Sequence, residues 1–317
     1  MPPIQPSVLG SLLTGASAVA LSVSAANAQS GPPNLTAWVE GARFWSSGGN
    51  VSIPAILNPP GYLSLRPAGG FEGAVGFDYR WQDRAWHFVF DLRYGRTKTA
   101  NRGSAAATFA TVSPFPTLAS STRGSQATQR ESHLVADFMI GRDLGIGANT
   151  PEVLFGVRVA DLRTTVHLSE VGQRTFYSSS TFITVPQSAN ATWRSRFFGA
   201  GPRLAITGGI PITGPWSFDY SGGIAGLLGD RTFQVQSWNS VSVIGAFAAK
   251  SSPTVMVFNA DGSAAISYVV NSYFKLSGGI RGDYYSAPLT TFNVSTGGTS
   301  NISRFYWGPF ARLTGVF

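Results

Sequence analysis

Residues 71 to 94 set two runs of strict alternation end to end. In the first, Phe71, Val75, Phe77, Tyr79 and Trp81 take the odd positions, and Glu72, Gly76, Asp78, Arg80 and Gln82 take the even ones. After the polar pair Asp83-Arg84, the second run puts Trp86, Phe88, Phe90, Leu92 and Tyr94 on one face and His87, Asp91 and Arg93 on the other. A period of two is the period of a β-strand. One face is aromatic and aliphatic while the other is ionised. A soluble sheet can separate its faces in the same way, so one hairpin does not decide between a core and a bilayer. Repeated along the chain, the pattern predicts an all-β, transmembrane, antiparallel up-and-down β-barrel with lipid outside and a polar lumen inside.

The same reading yields ten strands. The first, near Leu35 to Trp45, is the least regular, with Glu40 and Arg43 on opposite faces. Beyond the opening pair, residues 131–143 set Leu134, Ala136, Phe138 and Ile140 against His133, Asp137 and Met139. Val153, Phe155, Val157 and Val159 oppose Gly156, Arg158 and Ala160. Phe198, Ala200, Leu204 and Ile206 oppose Gly199, Gly201 and Arg203, with Pro202 inside the run, where proline demands an unpaired position or a bulge. Trp216, Phe218, Tyr220, Ile224 and Leu228 face away from Asp219. A strand over 254–269 leads through Asn271-Ser272 to one in which Phe274, Leu276, Ile280 and Tyr284 oppose Lys275, Arg281 and Asp283. The last runs from Trp307 to Phe317.

Short turns at Asp83-Arg84, Gly145 to Gly147, Gly208 to Pro215 and Asn271-Ser272 alternate with long Ser-, Thr- and Gly-rich loops. The loops are expected near 46–68, 98–128, 168–190 and 230–253, with another before the last strand. Such alternation characterises barrels with short periplasmic turns and long outer loops. Val241-Ser242-Val243 could hide a further hairpin, which leaves twelve strands as the alternative.

The two ends and the composition sharpen this reading. Val8 to Ala26 is apolar or small and runs into Ala26-Asn27-Ala28, a small-x-small site, so residues 1–28 are expected to be a cleaved signal peptide and 29–317 the barrel. No Lys or Arg precedes the apolar stretch. Charged residues make up 12% of the chain, against about a quarter in soluble domains, as expected when half of each strand faces hydrocarbon. There is no cysteine, which is permissive of passage through an oxidising compartment. Of the 23 Lys and Arg residues only Lys98, Lys250 and Lys275 are lysines. The arginines lie singly along strands rather than in a basic run, which argues against a nucleic-acid partner and for guanidinium–carboxylate pairing in a lumen.

With an exported start, long alternating strands, the stretch Phe198-Gly199-Ala200-Gly201-Pro202-Arg203-Leu204 and the closing run from Trp307-Gly308-Pro309 to Phe317, the chain resembles the Legionella-type major outer-membrane protein family. The resemblance covers the whole barrel. It implies a pore-forming β-barrel in the outer membrane of a Gram-negative bacterium.

The residues singled out for chemistry are the inward ions Asp78, Arg80, Asp91, Arg93, Asp137, Arg158, Arg203, Asp219, Arg281 and Asp283. As pore-lining groups they would make a porin-like channel for small hydrophilic solutes, biased toward anions by arginine. The competing reading is that they pair across a narrow barrel and close it, because small barrels are filled by their own side chains. An occluded barrel would then be structural or adhesive, meeting other surfaces through its loops.

A barrel-embedded hydrolase or acyltransferase needs a rim histidine beside Ser or Asp. Only His87, His133 and His167 exist, and the first two fall on inward faces with Asp91 and Asp137 four residues away. No catalytic activity, metal site or cofactor is expected. The expected partners are outer-membrane lipid and, through the strand ending at Phe317, the barrel-assembly machinery.

Overall fold

Leu35 and Phe317 exchange backbone hydrogen bonds of 3.2 and 2.8 Å, joining the two ends of the described chain into a seam. The computed structural model describes residues 35–48, 51–57, 62–65, 69–81, 85–111, 117–145, 151–178, 181–240, 246–293 and 298–317. The expected signal peptide, the Asp83-Arg84 turn, Ile146-Gly147 and Val241-Ser242-Val243 lie outside these residues.

The strands in chain order are β1 (Leu35–Ser47), β2 (Val51–Pro54), β3 (Tyr62–Leu65), β4 (Gly69–Arg80), β5 (Trp86–Thr111), β6 (Thr117–Asp143) and β7 (Glu152–Ser178). They continue with β8 (Thr181–Thr213), β9 (Trp216–Asn239), β10 (Ala246–Ser251), β11 (Thr254–Val269), β12 (Phe274–Asn293) and β13 (Gly298–Val316). All pairings are antiparallel. The ring runs β1-β4-β5-β6-β7-β8-β9-β11-β12-β13 and returns to β1, which pairs with both β13 and β4. β10 pairs with residues 233–238 of β9 and β11 with residues 216–230, so the two occupy one column interrupted at Ser252-Pro253. The ring therefore has ten columns, and at the level where β1, β4 and β13 complete it there is no free edge.

Lipid explains the outer face. Exposed apolar side chains point outward from every column, among them Phe138, Phe155, Leu204, Ile224, Phe258, Ile280 and Leu313. Toward the turn end the belt is edged by Tyr79, Trp81, Trp86, Trp216, Tyr268 and Tyr273, and toward the loop end by Phe71, Tyr284, Phe305 and Trp307. Amphipathic rings at both levels are the girdles of a membrane-spanning barrel.

Three stretches expected to be loops are strands instead. β5 with β6, β7 with β8, and the upper part of β9 continue past the belt as a paired wall. β8 alone is 33 residues, and its part beyond Phe198 corresponds to roughly 55 Å of strand. The sequence hid this because lipid no longer dictates which face is apolar: on β7 the inward Val166 and Leu168 join a buried apolar cluster while the outward Arg163 and His167 are exposed, and on β6 small polar residues occupy both faces without losing the backbone pairing. Likewise the turn expected over 208–215 shrinks to Gly214-Pro215, with Gly214 at φ 52°, a conformation glycine adopts without a Cβ clash.

Pro202 faces outward and keeps its register with Val157 on β7. On the other side, pairing with β9 passes directly from Ala200–Leu228 to Arg203–Ala225, so the missing N–H falls where no ladder bond is made. A Cβ on Gly201 would stand 1.8 Å from the Gly226 carbonyl oxygen, which is why that neighbour must be glycine.

The loop between β1 and β4 also departs from expectation. Its β2–β3 hairpin turns into the ring rather than away from it. Val51, Ile53, Leu63 and Leu65 are buried against the inward Val135, Leu162, Val166, Leu168, Phe197 and Ile302. Just after β2, the backbone N–H groups of Ile56 and Leu57 donate to Glu170 of β7 at 2.8 and 2.9 Å, and the same carboxylate accepts the Ser125 hydroxyl at 2.8 Å. Arg123 donates to the Leu57 carbonyl at 3.2 Å. Glu170→Ala is expected to cost about 2–3 kcal/mol, since it leaves two buried donors and one half-buried donor without a charged acceptor. Chemical unfolding, together with faster proteolysis between β1 and β4, checks this.

Candidate functional site: the interior of the barrel

The ten ions singled out in the sequence all project from the inner face, because each lies on the strand position opposite the lipid-facing residues. The structure groups them in tiers. At the turn end, the Arg80 guanidinium reaches Asp143 at 3.1 Å, Asp78 at 3.5 Å and Glu152. His87 Nδ1 meets Asp78 at 2.7 Å. These groups bring Asp78, His87 and Glu152 within 4.8 Å of one another, and Arg80 supplies the cation among their carboxylates. Elsewhere in the turn-end tier, Asp219 takes Lys275 Nζ at 2.7 Å and the Ser267 hydroxyl at 2.6 Å.

The middle tier is denser. Arg158, with no exposed surface, binds both oxygens of Asp137 at 2.7 Å and also reaches Asp261 at 2.8 Å and Asn259 at 2.5 Å. Arg203 joins Asp261 from β8, and Arg93 spans Asp91 at 3.2 Å and Asp283 at 2.6 Å. Trp38 donates its indole N–H to Asp91 at 3.2 Å. Forked guanidinium–carboxylate pairs of this kind are strong and directional.

Glu40 of β1 forms a clasp at the seam. One oxygen accepts Arg281 of β12 at 2.5 Å and the other accepts Arg312 of β13 at 2.7 Å. Arg281 also holds Glu72, which meets His133 at 2.5 Å. Nearer the loops, the fully buried Arg304 binds Glu131 at 2.7 Å, and Ser46 donates to the same carboxylate at 2.7 Å.

Sequence reasoning did not single out Glu40, Glu72, Glu131, Asp261, Arg304 or Arg312. Glu72 stood on the inward face of an alternating run, so its parity was already a signal. Asp261 lay in a strand whose phase was left unassigned, and Arg304 preceded the point where the last strand was expected to begin. The histidines also find different carboxylates: His87 pairs with Asp78 and His133 with Glu72, not with Asp91 and Asp137.

His167 stands on the outer face of the wall, hydrogen-bonded to Thr192 at 3.0 Å. Partial desolvation, followed by the charges of Arg130 on β6 and Arg194 on β8, holds its imidazole below the ordinary value of 6.5. Its neutral form is favoured in the fold, so the unfolded chain binds the proton first and stability falls as pH drops through 6.5. An NMR titration is expected to give a midpoint below 6.5 that rises in Arg130→Gln.

No protein-family model matches the chain, and no curated protein matches it. Among solved structures it is similar to the outer-membrane protease OmpT from Escherichia coli, at 10% identity and a TM-score of 0.44, covering 92% of this chain and 99% of that one. It is also similar to the transport unit of the autotransporter AIDA-I from Escherichia coli, at 11% identity and a TM-score of 0.28, covering 97% and 98%. A Pseudomonas aeruginosa FadL homologue gives 10% identity and a TM-score of 0.25, covering 90% of each chain. These superpositions are too loose to assign an activity, and the architecture rests on the strand pairing itself.

Proposed function

We propose that this chain is an outer-membrane β-barrel held shut along its axis, acting as a rigid anchor for an extracellular β-wall that meets other surfaces, rather than as an open porin-like channel. The observation that carries the reading is the burial of inward side chains at successive levels. Arg158, Phe197, Leu227, Leu289 and Arg304 are all 0% exposed. An open lumen would wet them. The ionic tiers occupy the turn-side half and the β2–β3 hairpin packs into the loop-side half, where a cavity of about 20 Å³ beside it has room for roughly one water. The ten inward ions then serve as mutual counter-ions instead of solute contacts. Toward its tip the wall exposes Val171, Phe182, Ile183 and Val185, apolar groups suited to contact.

Planar-bilayer recording of the refolded protein tests this. The expected result is the absence of steady unitary current in concentrated KCl; regular ohmic openings in the unmodified protein would overturn it.

A further inference from the structure

The outer face of the wall changes character abruptly at the edge of the lipid belt. On β5 the outward series passes from Leu92 and Tyr94 to Arg96 and Lys98, and on β6 from Phe138 and Leu134 to Ser132 and Arg130. On β8 it passes from Leu204 and Phe198 to Arg196 and Arg194. Register aligns these residues across columns. One row holds Arg96, Ser132, Arg163 and Arg196, and the next holds Lys98, Arg130, Thr165, Arg194, Gln234 and Lys250.

Asp161, one position toward the belt, takes both Arg163 and Arg196. Arg96, Lys98, Arg130, Arg194 and Lys250 have no carboxylate partner among the described residues. Lys98 and Arg130 stand directly opposite one another, an arrangement that costs stability in a sheet unless an anion lies between them. His167, one row higher, is held below its ordinary value first by desolvation and then by the neighbouring charges of Arg130 and Arg194.

We propose that this cationic band binds the phosphate-bearing headgroups of lipids in the outer leaflet. Position selects the occupant. The band begins within two residues of the last lipid-facing side chain, about 7 Å along a strand, which puts it at headgroup depth. Guanidinium forks match phosphate oxygens in pairs, and at least four unpaired cations converge on neighbouring columns. A soluble polyanion could use the charge but would gain nothing from a band that follows the belt edge across six columns. The inference needs only the membrane-spanning ring and is independent of whether the lumen conducts.

Native mass spectrometry of the refolded full barrel tests it, with phosphatidic acid, phosphatidylcholine of the same chains, and inorganic phosphate as probes. Wild type is expected to retain phosphatidic acid over phosphatidylcholine, with inorganic phosphate a poor competitor. The variant R96Q/K98Q/R130Q/R194Q is expected to lose about tenfold or more of that retention, each basic residue near a headgroup plane being worth roughly 1 kcal/mol. Asp161→Asn frees Arg163 and Arg196 and is expected to raise retention, a gain that misfolding cannot produce. Equal retention of the two lipids, or a quadruple variant that folds and binds like wild type, overturns the proposal. So does heparin binding as tight as that of phosphatidic acid and lost in the same variant, which would assign the band to a soluble polyanion.

Discussion

Replacing Arg158 with methionine is expected to lower the unfolding free energy by about 3–5 kcal/mol, the penalty for removing one partner of a buried ionic cluster. The side chain is 0% exposed and holds Asp137 through two 2.7 Å bonds while touching Asp261 and Asn259. Without it, Asp137, Asp261 and Asp283 lose a shared cation and keep only Arg203, Arg93 and Arg281 nearby. Denaturant unfolding in detergent or lipid measures the shift in midpoint. A double variant, Arg158→Met with Asp137→Asn, is expected to recover part of the loss, because it removes one of the stranded charges together with its partner. Equal stability of Arg158→Met and wild type would mean that water reaches this tier, and with it that the lumen is open.

The second large effect concerns the hairpin. The chain has no cysteine, so a single introduced thiol is an unambiguous probe. Leu168→Cys places it on the inner face of β7, where the native side chain is buried within the cluster that packs the hairpin. A membrane-impermeant maleimide is expected to leave this thiol untouched in the full protein. With residues 51–65 replaced by a short Gly-Ser link, labelling is expected to go to completion. Val171→Cys, on the exposed outer face, reacts in both backgrounds and serves as the control. The deletion alone is expected to leave ionic current absent, since the tiers of Arg93, Arg158 and Arg203 lie beneath the hairpin. Current in the deletion variant would instead make the hairpin the sole barrier.

The membrane-embedded half was legible in the sequence for a physical reason. Hydrocarbon accepts no charge on the outward face, and the strand period then forces polar groups inward, as Phe88 and Phe90 against Asp91 and Arg93 show. That constraint lapses above the belt, where Ser120 to Gln129 and Ser188 to Arg194 form strands with no lipid to enforce a pattern. The β2–β3 hairpin was hidden by brevity: four residues in each strand hold too few positions for a period, and Gly and Pro surround them. Parity alone gave the inward ions their direction. It could not give their partners, because which guanidinium meets which carboxylate depends on the stagger between columns far apart in the chain, as with Arg93 and Asp283 or Arg304 and Glu131.

The Glu40 clasp bears on how the molecule is built. Strands β1 and β13 are the first and last of the described strands in chain order, and their ladder joins strands far apart in the chain, so no hairpin templates it. Glu40 and Arg312 are direct partners in that ladder, and Arg281 reaches the same carboxylate from the next column. A half-built sheet therefore carries the carboxylates Glu40 and Glu72 on one margin and the guanidinium groups of Arg281 and Arg312 on the other. A shift of one residue at this joint would turn Glu40 and Arg312 to opposite faces, so the pair ties closure of the cylinder to one register.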